Sequence, residues 1–200
     1  MTALDERAVA PAATLYPHAA RRLRADETAQ WFAVTGAGEV RYRRVQIALV
    51  DAAGEVRDEP WIRSVEAQLN ELLRLPPGWD GERAQAISEA AVKAVVAVLG
   101  EIQDEHELPP AVFPLPDGGV QAEWHAAGND VEVEVEGNGS VFLFARDPAG
   151  NVGIEGDVMV TGLDTATPSV LGEDSHLILK QTRYVVSNIT SLVQRALRHA

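Results

Sequence analysis

Apolar and polar residues alternate along much of the second half of the chain. A period of two is typical of β-strands with one buried and one exposed face, and turn residues separate the alternating runs. The pattern therefore predicts a β-meander over residues 110–161, in which Pro114 marks the first strand as an edge strand or as the site of a bulge. Asn138-Gly139 predicts a two-residue hairpin turn within it. The alternating apolar positions are Val120, Ala122, Trp124, Val131, Val133 and Val135.

A helical period occurs on both sides of this meander. Apolar residues at helical spacing predict one helix that begins at Pro60 and a second from about Ser88, which is a suitable N-cap. Apolar side chains surround most of the second helix, so we expect it to be well buried. Asp174-Ser175 predicts the start of a C-terminal helix, although the β-branched run near Val185 leaves a strand at 176–180 as an alternative.

These elements predict an α+β fold, in which an antiparallel sheet of four to six strands has helices packed on one face. Residues 1–28 lack periodicity and are expected to form a flexible arm, and residues 29–200 a single domain. Its predicted parts are a β-hairpin extension (29–58), two helices (59–106), the meander (110–161) and the C-terminal helix (174–198). The extension either lengthens the main sheet or forms a small subdomain.

Composition narrows the classes of function. The net charge is −13, and residues 76–172 alone carry −14, which disfavours direct binding to nucleic acid phosphates. The chain has no cysteine, so disulfides and thiolate chemistry are excluded, which fits a reducing compartment. No apolar run is long enough to span a bilayer, and the start of the chain does not resemble a signal peptide. We expect a cytoplasmic protein, with self-association left open.

One face of the predicted strands concentrates acidic residues. Cross-strand neighbours lie about 5 Å apart, so carboxylates on adjacent strands can meet a histidine there. Such a set could bind a metal or serve acid–base chemistry, but a single histidine among dispersed carboxylates favours neither, and we expect no metal and no cofactor. Opposed like charges favour instead a surface that binds a cationic partner. The residues of this candidate face are Glu123, His125, Glu132, Glu134 and Glu136.

Two islands of turn residues each contain a tryptophan. Residues 75–84 read L-P-P-G-W-D-G-E-R-A and residues 109–124 read P-P-A-V-F-P-L-P-D-G-G-V-Q-A-E-W. Aspartate and glycine are turn formers, so a structural role is favoured over a catalytic one. We expect Asp80 to accept backbone N–H groups and both tryptophans to be buried. The residues of this structural motif are Trp79, Asp80, Gly81, Asp117, Gly118, Gly119 and Trp124.

The same islands resemble a group of small bacterial proteins with no assigned activity. Their shared pattern is a leucine, G-W-D-G-x-x-A, a helix, P-x-x-x-P-x-P-D-G-G-V-x-x-E-W and an acidic hairpin, which here covers about residues 62–145. The resemblance implies no catalytic residue. Because some members resemble components of mobile-element or toxin–antitoxin neighbourhoods, it implies an interaction role.

The sequence thus favours a non-enzymatic, acidic protein-binding module of antitoxin, immunity or chaperone type, which steers a basic partner protein onto its surface. One alternative is a hydrolase or metal-dependent enzyme that uses Glu123 and His125. Another is a structural subunit of a phage-like or secreted assembly.

Overall fold

The computed structural model describes residues 22–27, 30–31, 41–42, 45–50, 56–57, 59–103, 107–163 and 169–198. Five strands precede the helices: β1 (Arg22–Glu27), β2 (Gln30–Trp31), β3 (Arg41–Tyr42), β4 (Val45–Val50) and β5 (Val56–Arg57). The helices are α1 (Pro60–Leu72), α2 (Glu89–Ile102) and α3 (Glu173–Arg198). Six strands lie between α2 and α3: β6 (Ala111–Pro114), β7 (Val120–Ala126), β8 (Asn129–Val135), β9 (Val141–Arg146), β10 (Val152–Thr161) and β11 (Ser169–Leu171).

Strands β6 to β11 form the main sheet, an antiparallel meander with the order β11-β10-β9-β8-β7-β6. The predicted alternation sets its two faces, because the alternate valines, alanines and Trp124 are buried while their neighbours are half-buried or exposed. We call the buried side the inner face and the opposite side the outer face. All three helices contact strands of this sheet, and the α+β prediction is confirmed.

Helix α2 lies at the centre of the molecule. It contacts β7 and β8 on one side and β1 on another, and it also packs against α3. Its valines and leucine are fully buried, as the apolar residues around its circumference predict. Ser88 caps its N-terminus, because the hydroxyl accepts the backbone N–H of Ala91 at 2.9 Å.

The N-terminal strands do not lengthen the main sheet. β1, β4 and β5 form a separate three-stranded sheet, and β2 pairs only with β3. Within the segment 1–28, for which a flexible arm was expected, residues 22–27 form strand β1 and pair one-to-one with β4. Residues 1–21, and residues 32–40 within the predicted β-hairpin extension, lie outside the described residues. The sequence signal that could have predicted β1 was the alternation of Leu23 and Ala25 with polar residues.

Helix α1 closes exposed strand edges with its polar side chains. The Asn70 amide accepts the N–H of Val45 at 2.9 Å and donates to its carbonyl at 3.0 Å, which completes the pairing of the β4 backbone. Gln68 does the same for β6, because it accepts the N–H of Val112 at 2.8 Å and donates to the Pro110 carbonyl at 3.0 Å. The edge predicted at Pro114 is thus covered, and a second chain cannot add a strand there without displacing Gln68.

The C-terminal third departs from the prediction in two ways. Residues 152–161, within the predicted meander, form one continuous strand, β10, with a register shift between Val152 and Ile154. Residues 169–171 form β11, which the sequence analysis missed. The strand alternative at 176–180 is wrong, because these residues lie within α3. Burial of Leu179, Val186 and Ile189 outweighs the strand preference of the β-branched residues.

The segment 85–88, which follows the first turn island, binds the second island. The N–H of Gln85 donates to the Pro116 carbonyl at 2.8 Å, and the N–H of Ser88 donates to that of Gly118 at 2.9 Å. Asp117 joins a third segment, since its carboxylate accepts the N–H of Gly119 at 2.9 Å and that of Gly137, in the β8–β9 turn, at 2.8 Å. A Cβ atom at Gly119 would collide with the Val135 carbonyl. We call this set of contacts the loop clasp.

The remaining motif residues take the expected roles with one difference. Asp80 accepts the N–H groups of Glu82 at 2.8 Å and Ala84 at 3.1 Å, and Gly81 has a positive φ of 84°. Trp124 is buried, and its indole N–H donates to the Leu108 carbonyl at 2.9 Å. Trp79 is only half-buried over its own turn, so the prediction that it fills the core is wrong.

The turn at Asn138-Gly139 also differs from the prediction. Glu136 and Ser140 close the hairpin, so its loop has three residues, 137–139, and not two. Gly139 takes the left-handed position with a φ of 89°. The two-residue turn lies instead at Ala127-Gly128, where both residues have positive φ.

Removal of the Asp117 carboxylate tests the loop clasp. Asp117→Ala leaves two backbone N–H groups in separate hairpins without their acceptor, so we expect a loss of about 2–3 kcal/mol in the free energy of unfolding. The matched control is Asp147→Ala, whose carboxylate binds only within its own β9–β10 turn, to Ala149 and Asn151. Urea denaturation of both variants is the measurement, and an equal loss in the two would contradict the clasp.

Candidate functional site

The outer face carries two ordered rows of side chains across the main sheet. In the first row Glu132 on β8 lies opposite Phe144 on β9, and Phe144 lies opposite Glu155 on β10. In the second, Phe142 lies between Glu134 and Asp157 in the same way. Each phenylalanine of β9 therefore has a carboxylate residue on both neighbouring strands.

The rows continue onto the adjoining strands. Glu123 lies opposite Glu132, and Gln121 lies opposite Glu134, with its amide donating to a Glu132 oxygen at 3.4 Å. Apolar side chains are also exposed, since Phe113 on β6 is 45% exposed and Met159 on β10 is 64% exposed. The described strands present no lysine or arginine in either row.

The structure brings together four of the five residues predicted for the acidic face. Glu123 and Glu132 are direct cross-strand neighbours, Glu134 is one row away, and His125 lies beside Glu123. Glu136 does not join them. It follows the end of β8, and its carboxylate accepts the Asn138 side-chain amide at 3.1 Å within the hairpin turn.

His125 is held between two carboxylates at the end of the face. Its Nε2 lies 2.7 Å from Glu123 Oε2, and its Nδ1 lies 2.7 Å from Asp130 Oδ1. An ionised carboxylate only accepts hydrogen bonds, so both ring nitrogens must carry a proton to make both contacts. Arg146 completes the chain through Asp130 Oδ2 at 2.5 Å. The sequence analysis missed Asp130 and Arg146 because their register opposite His125 depends on the two-residue turn at 127–128.

The pKa values follow from these contacts. The hydrogen bond to Asp130, followed by that to Glu123, raises the pKa of His125 above its ordinary value of 6.5. The hydrogen bond from His125, followed by that from Arg146, lowers the pKa of Asp130 below 3.8. The histidine contribution to stability is therefore full below about pH 6.5 and is lost as the pH rises through the folded pKa. The Asp130 contribution is present above about pH 3.8 and is lost as the pH falls through its lowered pKa.

This arrangement counts against acid–base or metal chemistry at His125. A protonated imidazole has no lone pair to bind a metal or accept a substrate proton. Its two carboxylate neighbours are occupied by the same ring. In the part of the chain that the structure describes, no group of three or more histidine, aspartate or glutamate residues is arranged to hold a metal ion.

A groove of about 510 Å³ lies between α3 and the ends of β9 and β10. Its floor is apolar, with Ala145, Ile154 and Val185, and Lys180 lies at its border. Two of its polar side chains, those of Asp147 and Asn151, bind each other in the β9–β10 turn.

The two central phenylalanines were not predicted as surface residues. The sequence analysis assigned the outer face to acidic residues alone, whereas Phe142 and Phe144 lie on it and are half-buried. The signal was the run V-F-L-F-A at 141–145, which is apolar at successive positions and therefore places apolar side chains on both faces of β9.

Comparison with known proteins adds no relative: no family model, no curated protein and no solved structure matches the chain. None of the helices in the described residues has the length and apolar character needed to cross a bilayer.

The doubly bonded histidine gives a direct prediction. In an NMR titration His125 should show a pKa above 6.5, and Asp130→Asn should lower it more than Glu123→Gln does, since Asp130 contributes the larger effect. His125→Gln assigns the resonance. Glu134→Gln is the control, because this residue shares the face without contacting the ring. A wild-type pKa at or below 6.5 would show that the imidazole is not held by both carboxylates.

Proposed function

We propose that this protein is a non-enzymatic protein-binding module of antitoxin, immunity or chaperone type, which docks a basic partner protein on the outer face of its main sheet. The observation that carries the proposal is the pair of rows, in which carboxylates surround half-buried aromatic rings and, among the described residues, only Glu123 is bound by a neighbouring basic side chain, that of His125. The carboxylates are those of Glu123, Glu132, Glu134, Glu155 and Asp157.

Electrostatics supports this use of the face. Glu123 and Glu132 are opposed like charges, and His125 offsets the charge of Glu123 alone, so Glu132 still favours the approach of a cation. The surrounding segment, 76–172, has a net charge of −14, so its field attracts a basic protein from a distance and speeds association. The same field disfavours phosphate-rich partners.

Apolar contact supports it as well. Phe113 and Met159 are exposed on the same face as the half-buried Phe142 and Phe144. An apolar patch bordered by charged residues is typical of protein interaction sites. Strand addition at β6 is a weaker option, because Gln68 covers the β6 backbone and Pro114 interrupts that edge. With no cysteine in the chain, we place this interaction in the cytoplasm.

The test is association kinetics with the partner recovered from the native host by affinity capture. Glu132→Gln, Glu134→Gln and Glu155→Gln together should slow association at low salt and reduce its salt dependence, with a smaller effect on dissociation. These side chains are half-buried or exposed, so the fold should survive the triple substitution.

The control triple variant changes the net charge equally but elsewhere. It combines Glu71→Gln, Glu82→Gln and Glu101→Gln, all exposed and outside the main sheet. Association of this variant should stay close to that of the wild type. Equal slowing by both triple variants would show that total charge acts and that the outer face has no special role.

A further inference from the structure

The outer face carries a strip of three strands that is centred on β9. Phe142 and Phe144 form an apolar ridge on β9, and carboxylate residues line both neighbouring strands. We call the two carboxylate lines the rails: Glu132 and Glu134 on β8, and Glu155 and Asp157 on β10. The rails are two strand spacings apart, or about 9–10 Å.

We propose that the partner element that binds this strip of the outer face is a basic amphipathic α-helix lying along β9. Its apolar stripe contacts Phe142 and Phe144, and arginines or lysines on both borders of the stripe reach the rails. The proposal rests on the proposed docking function of the outer face and specifies the chemistry of the partner.

The dimensions match those of a helix in both directions. An α-helix with its side chains is about 10–12 Å wide, which is close to the separation of the rails. Residues i and i+4 of a helix rise by about 6 Å, and two residues on one face of a strand, such as Phe142 and Phe144, lie about 7 Å apart. Successive apolar residues of the helix can therefore each contact one ring.

Backbone hydrogen bonding also favours a helix over an extended segment. Strands β8 and β9 are paired on both sides, whereas β10 pairs with β11 only at Met159–Thr161. A segment that lies above the face along β9 therefore meets no row of free N–H and C=O groups on the strand beneath it. An extended chain would lose hydration of its own backbone without replacement. A helix satisfies its backbone internally, and its arginine or lysine stems can cover the rings while the charged ends meet the rails.

Two synthetic peptides of about 18 residues, long enough to form helices, provide the probes. One carries leucines on a single stripe bordered by arginines, with alanine elsewhere. The other has the same composition but distributes the leucines around the helix. Titration calorimetry with the full chain should show that the striped peptide binds about tenfold or more tightly than the scrambled one.

Substitution of the ridge locates the site. Phe142→Thr with Phe144→Thr keeps strand-forming residues at both positions and should remove the preference for the striped peptide, leaving only weak, salt-sensitive binding of both. Phe113→Thr is the matched control, since it removes a ring from the same face but from β6, and it should leave the preference intact. Circular dichroism melting checks that each variant is folded.

The outcomes separate this inference from the proposed function. One outcome is that the two peptides bind the wild type equally and are weakened equally by Glu132→Gln and Glu155→Gln. That result contradicts the proposed helix but still supports the acidic docking face. Absence of binding by both peptides overturns the helix and removes support for the docking face. If the double phenylalanine variant does not fold, Glu132→Gln with Glu155→Gln replaces it and should weaken the striped peptide about fivefold or more; unchanged binding overturns the inference.

Discussion

Burial of the valine-rich inner face of the main sheet against α2 holds the molecule together. Val131, Val133 and Val135 of β8 are fully buried, and each such side chain contributes about 1.5–3 kcal/mol relative to an exposed one. Helix α2 is itself enclosed, because β1 contacts it on another side and α3 packs beside it. The helices pack on the inner face and leave the outer face uncovered by them. Because burial is one-sided, the acidic and aromatic rows lie on the outer face.

The loop clasp explains the two most conspicuous sequence motifs as structural. Segment 85–88, which follows the first island, donates its backbone N–H groups to the carbonyls of the second island, and Ser88 also donates its hydroxyl to Gly137 at 2.6 Å. Asp117 then joins the β6–β7 and β8–β9 turns. The glycines are needed because backbones approach too closely for a Cβ atom. The clasp fixes the ends of β7 and β8, and thereby the register that aligns the outer rows.

Periodicity predicted the main sheet, its one-sidedness and all three helices, since these features depend on residues near one another in the chain. Other features depend on distant partners. Gln68 binds the backbone around Val112, 44 residues away, and no local pattern shows that an amide on α1 will cover that edge. The four-residue chain from Glu123 to Arg146 likewise requires the register of three strands. The alternation therefore predicted the glutamates of the candidate site. It did not predict the rings between them, because an apolar run does not show which face each side chain takes.

The proposed docking site for a partner is the outer face along β9. Mapping of backbone amide chemical shifts in the isotope-labelled protein, during titration with the striped peptide, tests it most directly. The account predicts that shifts concentrate in β8, β9 and β10, centred on Phe142 and Phe144, and that α3 residues bordering the groove, such as Lys180 and Tyr184, stay unchanged. Shifts confined to α3 and the groove, with β9 unaffected, would contradict it.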